Sequence, residues 1–399
     1  MPMNWAPTFV GVTANARKGL TPFVGAAAWV ALEYLRTYLF SGFPWALFAD
    51  TQVRVLPLIQ MASVTGAYGV SFLLLIINIT VAMVCCRPAK GHFWKISPLI
   101  VLGCYGWGSY RMNHFPWTKN APAIQVALLQ GSIDQYKKWD RAYVEEIQRT
   151  YEALIAQAAP SKPDMIIWPE TSVPGYLLQD LPLRDWLQRV TRQSHTNHLV
   201  GAPVIHRDMA YNAAFSINHE GNLEGEYAKQ HLVPFGEVVP WANVLGKFIK
   251  VLNDLGGFRA GEGSPVVLVG GYPVGVNICY EAIFPNLVRQ SVRQGAVFIA
   301  NLTNDGWYMK TSAPYQHWAP NIFRAVENGR WLVRADNTGI TGIIDPVGHV
   351  TASSVIFESC VVQGRVWARG DFTPYTRFGD LFAWACLCFC IWIFLRLVY

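Results

Sequence analysis

VGVNICYEAIFPNLVRQSVRQGAVFIA (Val274–Ala300) decides the fold class of this chain. Val274 to Cys279 is a short apolar run too brief for a helix and reads as a buried strand. Pro285 to Gln294 carries a Pro at its start and apolar residues at helical spacing, so it predicts a helix. Ala296 to Ala300 predicts the next strand. The alternation continues outward from there. Ile124 to Leu129, Met165 to Trp168, His198 to Ile205, Tyr211 to Ile217, Pro265 to Val269, Trp331 to Ala335, Ile340 to Ile344 and Val361 to Val366 predict further strands. Arg141 to Ala159 and Pro314 to Asn328 predict helices, and Gly221-Asn222 predicts a turn. Strands mixed with helices, without an internal repeat, indicate an α/β layered domain.

The flanks have a different texture. Over all 399 residues, 52% are hydrophobic and 15% charged, the latter against roughly 25% in a typical soluble protein. Mean hydropathy is positive, at +0.21. Disorder is excluded, and a purely soluble enzyme is disfavoured. The net charge of +6 is small and scattered, so no nucleic-acid partner is expected. Four stretches are expected to span a membrane: Pro22 to Phe40, Ala67 to Cys86, Ile96 to Tyr110 and Leu381 to Leu395. The second is uncharged and roughly 20 residues long, enough for a hydrocarbon core. Arg17, Lys18, Arg87, Lys90, Lys95 and Arg396 would all face the cytoplasm if the long segment from about Asn113 to Asp380 lies outside. Glu33 and Arg36, three apart on one helix face, are expected to pair. The division expected is a membrane region over 1–112, a catalytic domain over 113–375 and a last span over 376–399.

Several chemistries lack their signatures. The eight cysteines include no C-x-x-C pair, and most lie in apolar stretches as small hydrophobes. No metal site is expected: His195 and His198 stand three apart without a third ligand. A G-x-S-x-G elbow is absent, and Gly261-Glu-Gly263 reads as a loop.

What remains is a set of three strand ends. Cys279 closes a strand before a helix N-terminus, where a thiolate is stabilised. Trp168-Pro-Glu170 places a carboxylate just past a second strand. Tyr227-Ala-Lys229 places a lysine before the loop running to Glu237. Each taken singly has a plain reading: a core cysteine, a surface glutamate, a solvated lysine. Together they make a base, a cation and a nucleophile, sufficient for acyl transfer.

These residues also carry a resemblance. Trp168-Pro-Glu170, His231-Leu-Val-Pro-Phe-Gly-Glu237 and Ile278-Cys-Tyr-Glu281 resemble the nitrilase, or carbon–nitrogen hydrolase, superfamily. With Leu129-Gln-Gly131, Lys138-Trp-Asp140, Asn304-Asp-Gly-Trp307, Arg334-Ala-Asp-Asn-Thr-Gly339 and Phe43-Pro-Trp45, the chain is similar to its apolipoprotein N-acyltransferase branch over about residues 20 to 399. The resemblance implies a four-layer αββα sandwich attached to transmembrane helices on the periplasmic face of the bacterial inner membrane. It implies transfer of an acyl chain from a phospholipid to the amino group of an S-diacylglyceryl cysteine on a lipoprotein, without a cofactor. Cys279 matches the nucleophile, Glu170 the general base and Lys229 the oxyanion stabiliser. Glu237 matches a further acidic position, and Tyr280, Glu281 and Trp307 match positions beside the nucleophile or the lipid pocket. Fewer spans precede the sandwich than the family usually carries; the expectation is either a short form or a chain whose N-terminal part is absent. A thioester on Cys279 would be kept from water by an apolar lid containing Val233, Phe235 and Trp241. The competing expectations are a membrane-tethered amidase or nitrilase, and an inactive lipid-binding homologue.

Overall fold

The computed structural model describes residues 21–86, 93–116, 121–238 and 257–398. The chain divides into two compact units, with boundaries between Phe115 and Pro116 and between Arg377 and Phe378.

The first unit is helical. Helix α1 spans Thr21–Tyr38, α2 Ala67–Cys86 and α3 Phe93–Asn113. Among the described residues, α2 alone is long and apolar enough to cross a membrane, with a mean hydropathy of 2.4. Polar groups interrupt the others: Glu33 and Arg36 in α1, Lys95 and Ser97 in α3. Glu33 and Arg36 do not pair as expected. Glu33 is buried and accepts the Phe48 N–H at 2.7 Å, while Arg36 is exposed. The carboxylate is used to cap the turn Phe48–Gln52, satisfying a backbone donor that would otherwise be orphaned.

The second unit is a sandwich of two six-stranded sheets. The first sheet contains β1 (Ala123–Gln130), β2 (Met165–Ile167), β3 (Asn197–His206), β4 (Met209–Ile217) and β5 (Leu223–Ala228). Helices α4 (Val144–Ala158) and α5 (Leu181–Ser194) belong with it. The second sheet contains β6 (Val266–Val269), β7 (Tyr272–Ile278), β8 (Phe298–Thr303), β9 (Leu332–Asp336), β10 (Gly342–Ile344) and β11 (Val350–Ser353). Its helices are α6 (Pro285–Arg293) and α7 (Ala313–Asn328). Strand β12 (Cys360–Trp367) returns to the first sheet. The orders are β12-β1-β2-β3-β4-β5 and β11-β10-β9-β8-β7-β6. Pairing is parallel at the centre of each sheet, where β1-β2-β3 and β7-β8-β9 adjoin.

The layering follows from period-two alternation. Ile124, Val126 and Leu128 of β1 join Met165 and Ile167 in a core shared with Val274, Val276, Ile278 and Val333 of the other sheet. The intervening Ala127, Leu129 and Ile166 turn the other way, onto Tyr151 and Leu154 of α4 and Trp186 and Val190 of α5. Two sheets packed face to face and covered by helices give the αββα order. Helix α5 was not anticipated, nor were β5 and β11. The first is half charged and polar along its length, and the two strands are mostly exposed, so none shows a strong apolar run.

After a short helix, α8 (Pro374–Phe378), the chain re-enters the helical unit as α9 (Leu381–Val398). Trp384 rests against Tyr34 of α1, with ring centroids 5.4 Å apart. The Tyr38 hydroxyl donates to Asp380 at 2.7 Å. The apolar stretch of α9 is shorter than that of α2.

Candidate active site

The site is built from the C-terminal ends of strands in both sheets, β2 and β5 of the first and β7 of the second. Strand β2 delivers Trp168, buried between Tyr151 and Trp186. Its indole N–H donates to His198 Nδ1 at 3.1 Å. That fixed indole holds Pro169 and Glu170 at the strand end. Gly201 of β3 makes room for them: a Cβ at 201 would lie 2.2 Å from the Pro169 carbonyl oxygen and 2.7 Å from Glu170 Cα. The Lys138 ammonium donates to the Glu170 carbonyl at 2.8 Å, and burial pushes this lysine down to about 8.

Lys229 follows β5 directly. Its Nζ lies 3.2 Å from Glu170 Oε1 and 2.9 Å from Glu237 Oε2. Asn212 of β4 ties the carboxylates together, donating to Glu170 at 2.7 Å and to Glu237 at 3.0 Å. The Val233 N–H donates to Glu237 at 2.9 Å. Burial works against the Lys229 charge, but the carboxylates of Glu170 and Glu237 outweigh it and hold its pKa well above the usual value. For Glu237, burial is likewise outweighed by Lys229, and its pKa is lowered. The ammonium is therefore kept charged inside the protein, where an unpaired one would lose its proton.

Cys279 is the first residue after β7 and opens the turn Cys279–Ile283. Its φ is +52°, a left-handed conformation that a side-chain-bearing residue adopts at a cost of about 1–3 kcal/mol. Burial and the Glu170 carboxylate push its thiol well up, while Lys229 pulls it down. The resting sulfur is thus a thiol, with a carboxylate close enough to perturb it.

Sequence reasoning set Glu281 beside the nucleophile without giving it a task. The structure shows a clamp. Its Oε1 accepts from Tyr227 Oη (2.8 Å), Gln230 N (2.7 Å) and His231 N (3.0 Å), and its Oε2 accepts from Ile278 N at 2.7 Å. One fully buried carboxylate thereby fastens the Lys229 loop to the end of the Cys279 strand. Tyr280 is buried against His231 and Phe284. Trp307 is 70% exposed. Phe235 is exposed, Val233 is half-buried, and Trp241 lies outside the described residues. His195 is exposed, and His198 is buried in the Trp168 contact. No group of three metal-ligating side chains occurs among the described residues.

Residues that sequence reasoning missed are the supports: Lys138 in this role, Asn212, and the buried polar cluster next to Cys279. The cluster joins Asp305, His317 and Arg334, with Arg334 Nη2 2.6 Å from Asp305 Oδ2 and His317 Nδ1 2.7 Å from Asp305 Oδ1. Charged residues buried this deeply are found only when paired, but which partners meet was not readable from spacing.

A thiol at a strained strand end, with a paired lysine and a carboxylate at the ends of two other strands, stands in an αββα sandwich and forms an arrangement suited to acyl transfer. Residues 125–365 match the carbon-nitrogen hydrolase family model, and residues 2–80 match the apolipoprotein N-acyltransferase N-terminal domain. In solved structures, a double mutant of the amidase from Nesterenkonia sp. AN1 in complex with acrylamide shares the fold. Its TM-score is 0.50 and its identity 18%, covering 66% of this chain and 96% of that one. Apolipoprotein N-acyltransferase from Geobacter metallireducens is 39% identical over 373 residues, covering 90% of this chain and 71% of that protein. The enzyme of the same name from Methylococcus capsulatus is 35% identical, covering 93% and 73%. That from Pseudomonas putida is 33% identical, covering 88% and 70%. The chain belongs to the apolipoprotein N-acyltransferase family, within the carbon–nitrogen hydrolase superfamily.

Proposed function

We propose that this chain moves an acyl chain from a phospholipid to the N-terminal amino group of an S-diacylglyceryl-cysteine lipoprotein, through a thioester on Cys279. The observation that carries this reading is the buried Glu170–Lys229–Glu237 group beside a left-handed Cys279. Cys279 Sγ attacks the donor ester carbonyl and its proton passes to Glu170, the carboxylate that raises the thiol pKa. The tetrahedral oxyanion takes its stabilisation from Lys229, whose charge is secured by Glu237. Collapse breaks the ester C–O bond, and the departing glycerol oxygen recovers the proton from Glu170. The lipoprotein amine then attacks the thioester, Glu170 accepts its proton, and the sulfur leaves as thiol. Donor and acceptor share one sulfur, so the scheme is ping-pong.

Lipid substrates fit exposed apolar side chains on the loops that carry the site: Phe235 between Lys229 and Glu237, and Trp307 and Met309 after Asn304. The partners implied are the phospholipid donor, the diacylated lipoprotein and the bilayer. The helical unit is assigned a multi-pass role in the inner membrane, with residues 113–375 in the periplasm. The support is α2 together with the basic residues at the inner ends of the apolar segments; of these, Arg17, Lys18, Arg87 and Lys90 lie outside the described residues. Reporter fusions at Gln157 and at the C-terminus are expected to give opposite signals, and equal signals would overturn the topology. For the activity, membranes are incubated with a diacylated lipopeptide and its mass is followed. Gain of one acyl group supports transfer; acyl release to water alone would favour a hydrolase.

A further inference from the structure

Next to Cys279, three neighbouring strands contribute one polar residue each. Asn277 of β7 pairs in register with Asn301 of β8, and Asn301 with Arg334 of β9. All three are buried. Asn301 Nδ2 donates to Asn277 Oδ1 at 2.7 Å, and Arg334 Nη1 donates to Asn301 Oδ1 at 3.3 Å. Helix α7 lays His317 over this ladder. Its Nε2 lies 3.2 Å from the Cys279 carbonyl oxygen, and its Nδ1 lies 2.7 Å from Asp305 Oδ1.

Proton arithmetic fixes the roles. A carbonyl only accepts, so His317 Nε2 carries a hydrogen and donates it to Cys279. Nδ1 then faces a carboxyl oxygen, and one further proton must lie between the two. That proton is shared between Nδ1 and Asp305 Oδ1 across 2.7 Å; burial and Arg334 push His317 down to about 3, and burial pushes Asp305 up. Arg334 Nη2 fastens the second Asp305 oxygen at 2.6 Å and Asp336 at 2.8 Å. Asp336 in turn accepts from the backbone N–H groups of Asp305, Thr338 and Gly339. No atom of His317 needs to move for this bond to persist, and none of these groups is assigned a part in proton transfer.

The Cys279–Tyr280 peptide is planar and trans, so its N–H points opposite to its carbonyl. Holding the oxygen therefore sets the direction of the Tyr280 N–H. We propose that the Asp305–His317 pair is a positioning device: by gripping the Cys279 carbonyl it fixes the rotation of the Cys279–Tyr280 peptide and so aims the Tyr280 N–H at the oxyanion formed beside Lys229. This inference rests on the acyl-transfer reading of Cys279.

The test compares two reactions of one sulfur. Acylation by phosphatidylethanolamine in detergent micelles develops an oxyanion; alkylation by iodoacetamide does not. Both are followed on Cys279 by peptide mass spectrometry in wild type, His317→Leu and His317→Gln. His317→Leu is expected to slow acylation about 100- to 1,000-fold, the usual loss for one oxyanion donor, with alkylation within about twofold of wild type. His317→Gln, which keeps an N–H donor, is expected to recover most of the loss. Equal slowing of both reactions, or unimpaired acylation in His317→Leu, would overturn the inference. Should His317→Leu fail to accumulate, His317→Met decides by the same two rates, since Met fills the space without an N–H donor. Wild type that alkylates but never acylates would instead overturn the acyl-transfer reading itself.

Discussion

Two buried charged clusters flank one thiol, and they are built on opposite principles. In front, Lys229 is held between Glu170 and Glu237, and its pKa is pushed up. Behind, His317 lies between Asp305 and a backbone carbonyl, and its pKa is pushed down to about 3. The front cluster keeps a charge where chemistry needs one. The rear cluster keeps a ring neutral and aimed. The front groups come from separate strand ends and a loop, so small backbone shifts change their geometry. The rear groups come from adjoining strands and a helix, all fully buried. In the proposed reaction one cluster serves the reacting atoms, and the other serves the backbone that carries them.

Removing the front cluster's own atoms should have the largest effects. Cys279→Ala is expected to abolish acyl transfer, with Cys360→Ala nearly silent. Glu170→Gln and Lys229→Met should each lower the transfer rate about 100- to 1,000-fold. Rates are measured with phospholipid and lipopeptide, beside a thermal melt of each variant. The melt matters because stripping one member of a buried pair can cost about 3–5 kcal/mol in stability alone.

Glu237→Gln sharpens the contrast by removing a support instead of a reactant. A hydrogen bond to a charged group contributes about 1.5–3 kcal/mol, so a loss of roughly 10- to 100-fold is expected. The sign of the pH effect is also set. Glu237 raises the Lys229 pKa, so without it the alkaline limb of the pH–rate profile should move to lower pH. An unmoved limb would dissociate Lys229 from that limb.

Gly201→Ala attacks the front cluster through its backbone. Its Cβ would collide with Pro169 and Glu170 backbone atoms, and overpacking of this kind costs about 1–3 kcal/mol. Acyl transfer should fall together with the melting temperature, unlike the selective effect at His317. The smallest effect is expected at His198, which reaches the front cluster only through its hydrogen bond with Trp168. Burial pushes it down to about 3, below its usual value of 6.5. The unfolded chain then takes up a proton that the folded one refuses. Stability is full above pH 6.5 and declines as pH falls toward 3. His198→Gln should flatten that part of a melting-temperature profile, and an unchanged slope would assign the decline elsewhere.

The front cluster was legible in the sequence because strand ends announce themselves. Trp168-Pro-Glu170 and Cys279 each follow an apolar run, whereas Lys229 follows the largely polar Leu223–Ala228 and was marked by the loop after it; their convergence needs the two sheets to pack face to face. Glu281 shows the limit: its position was readable, but three of its four donors come from the distant segment Tyr227–His231, and the fourth, Ile278 N, is local. His317 sits mid-helix with nothing local to mark it, since its partners lie in the turns after β7 and β8. Helix α5 was overlooked although Leu183, Trp186, Leu187 and Val190 have helical spacing, because charged and polar residues dilute them. The four apolar segments are all helical, but length and hydropathy single out only Ala67–Cys86.

The central claim is that Cys279 holds the acyl chain between two half-reactions. The direct measurement is the intact mass of the purified protein after phospholipid alone, and again after a diacylated lipopeptide is added. The account predicts a mass gain of one acyl chain located on Cys279, absent in Cys279→Ala and discharged onto the lipopeptide amine. Transfer to the lipopeptide proceeding with no acyl adduct on Cys279 at any time would contradict it.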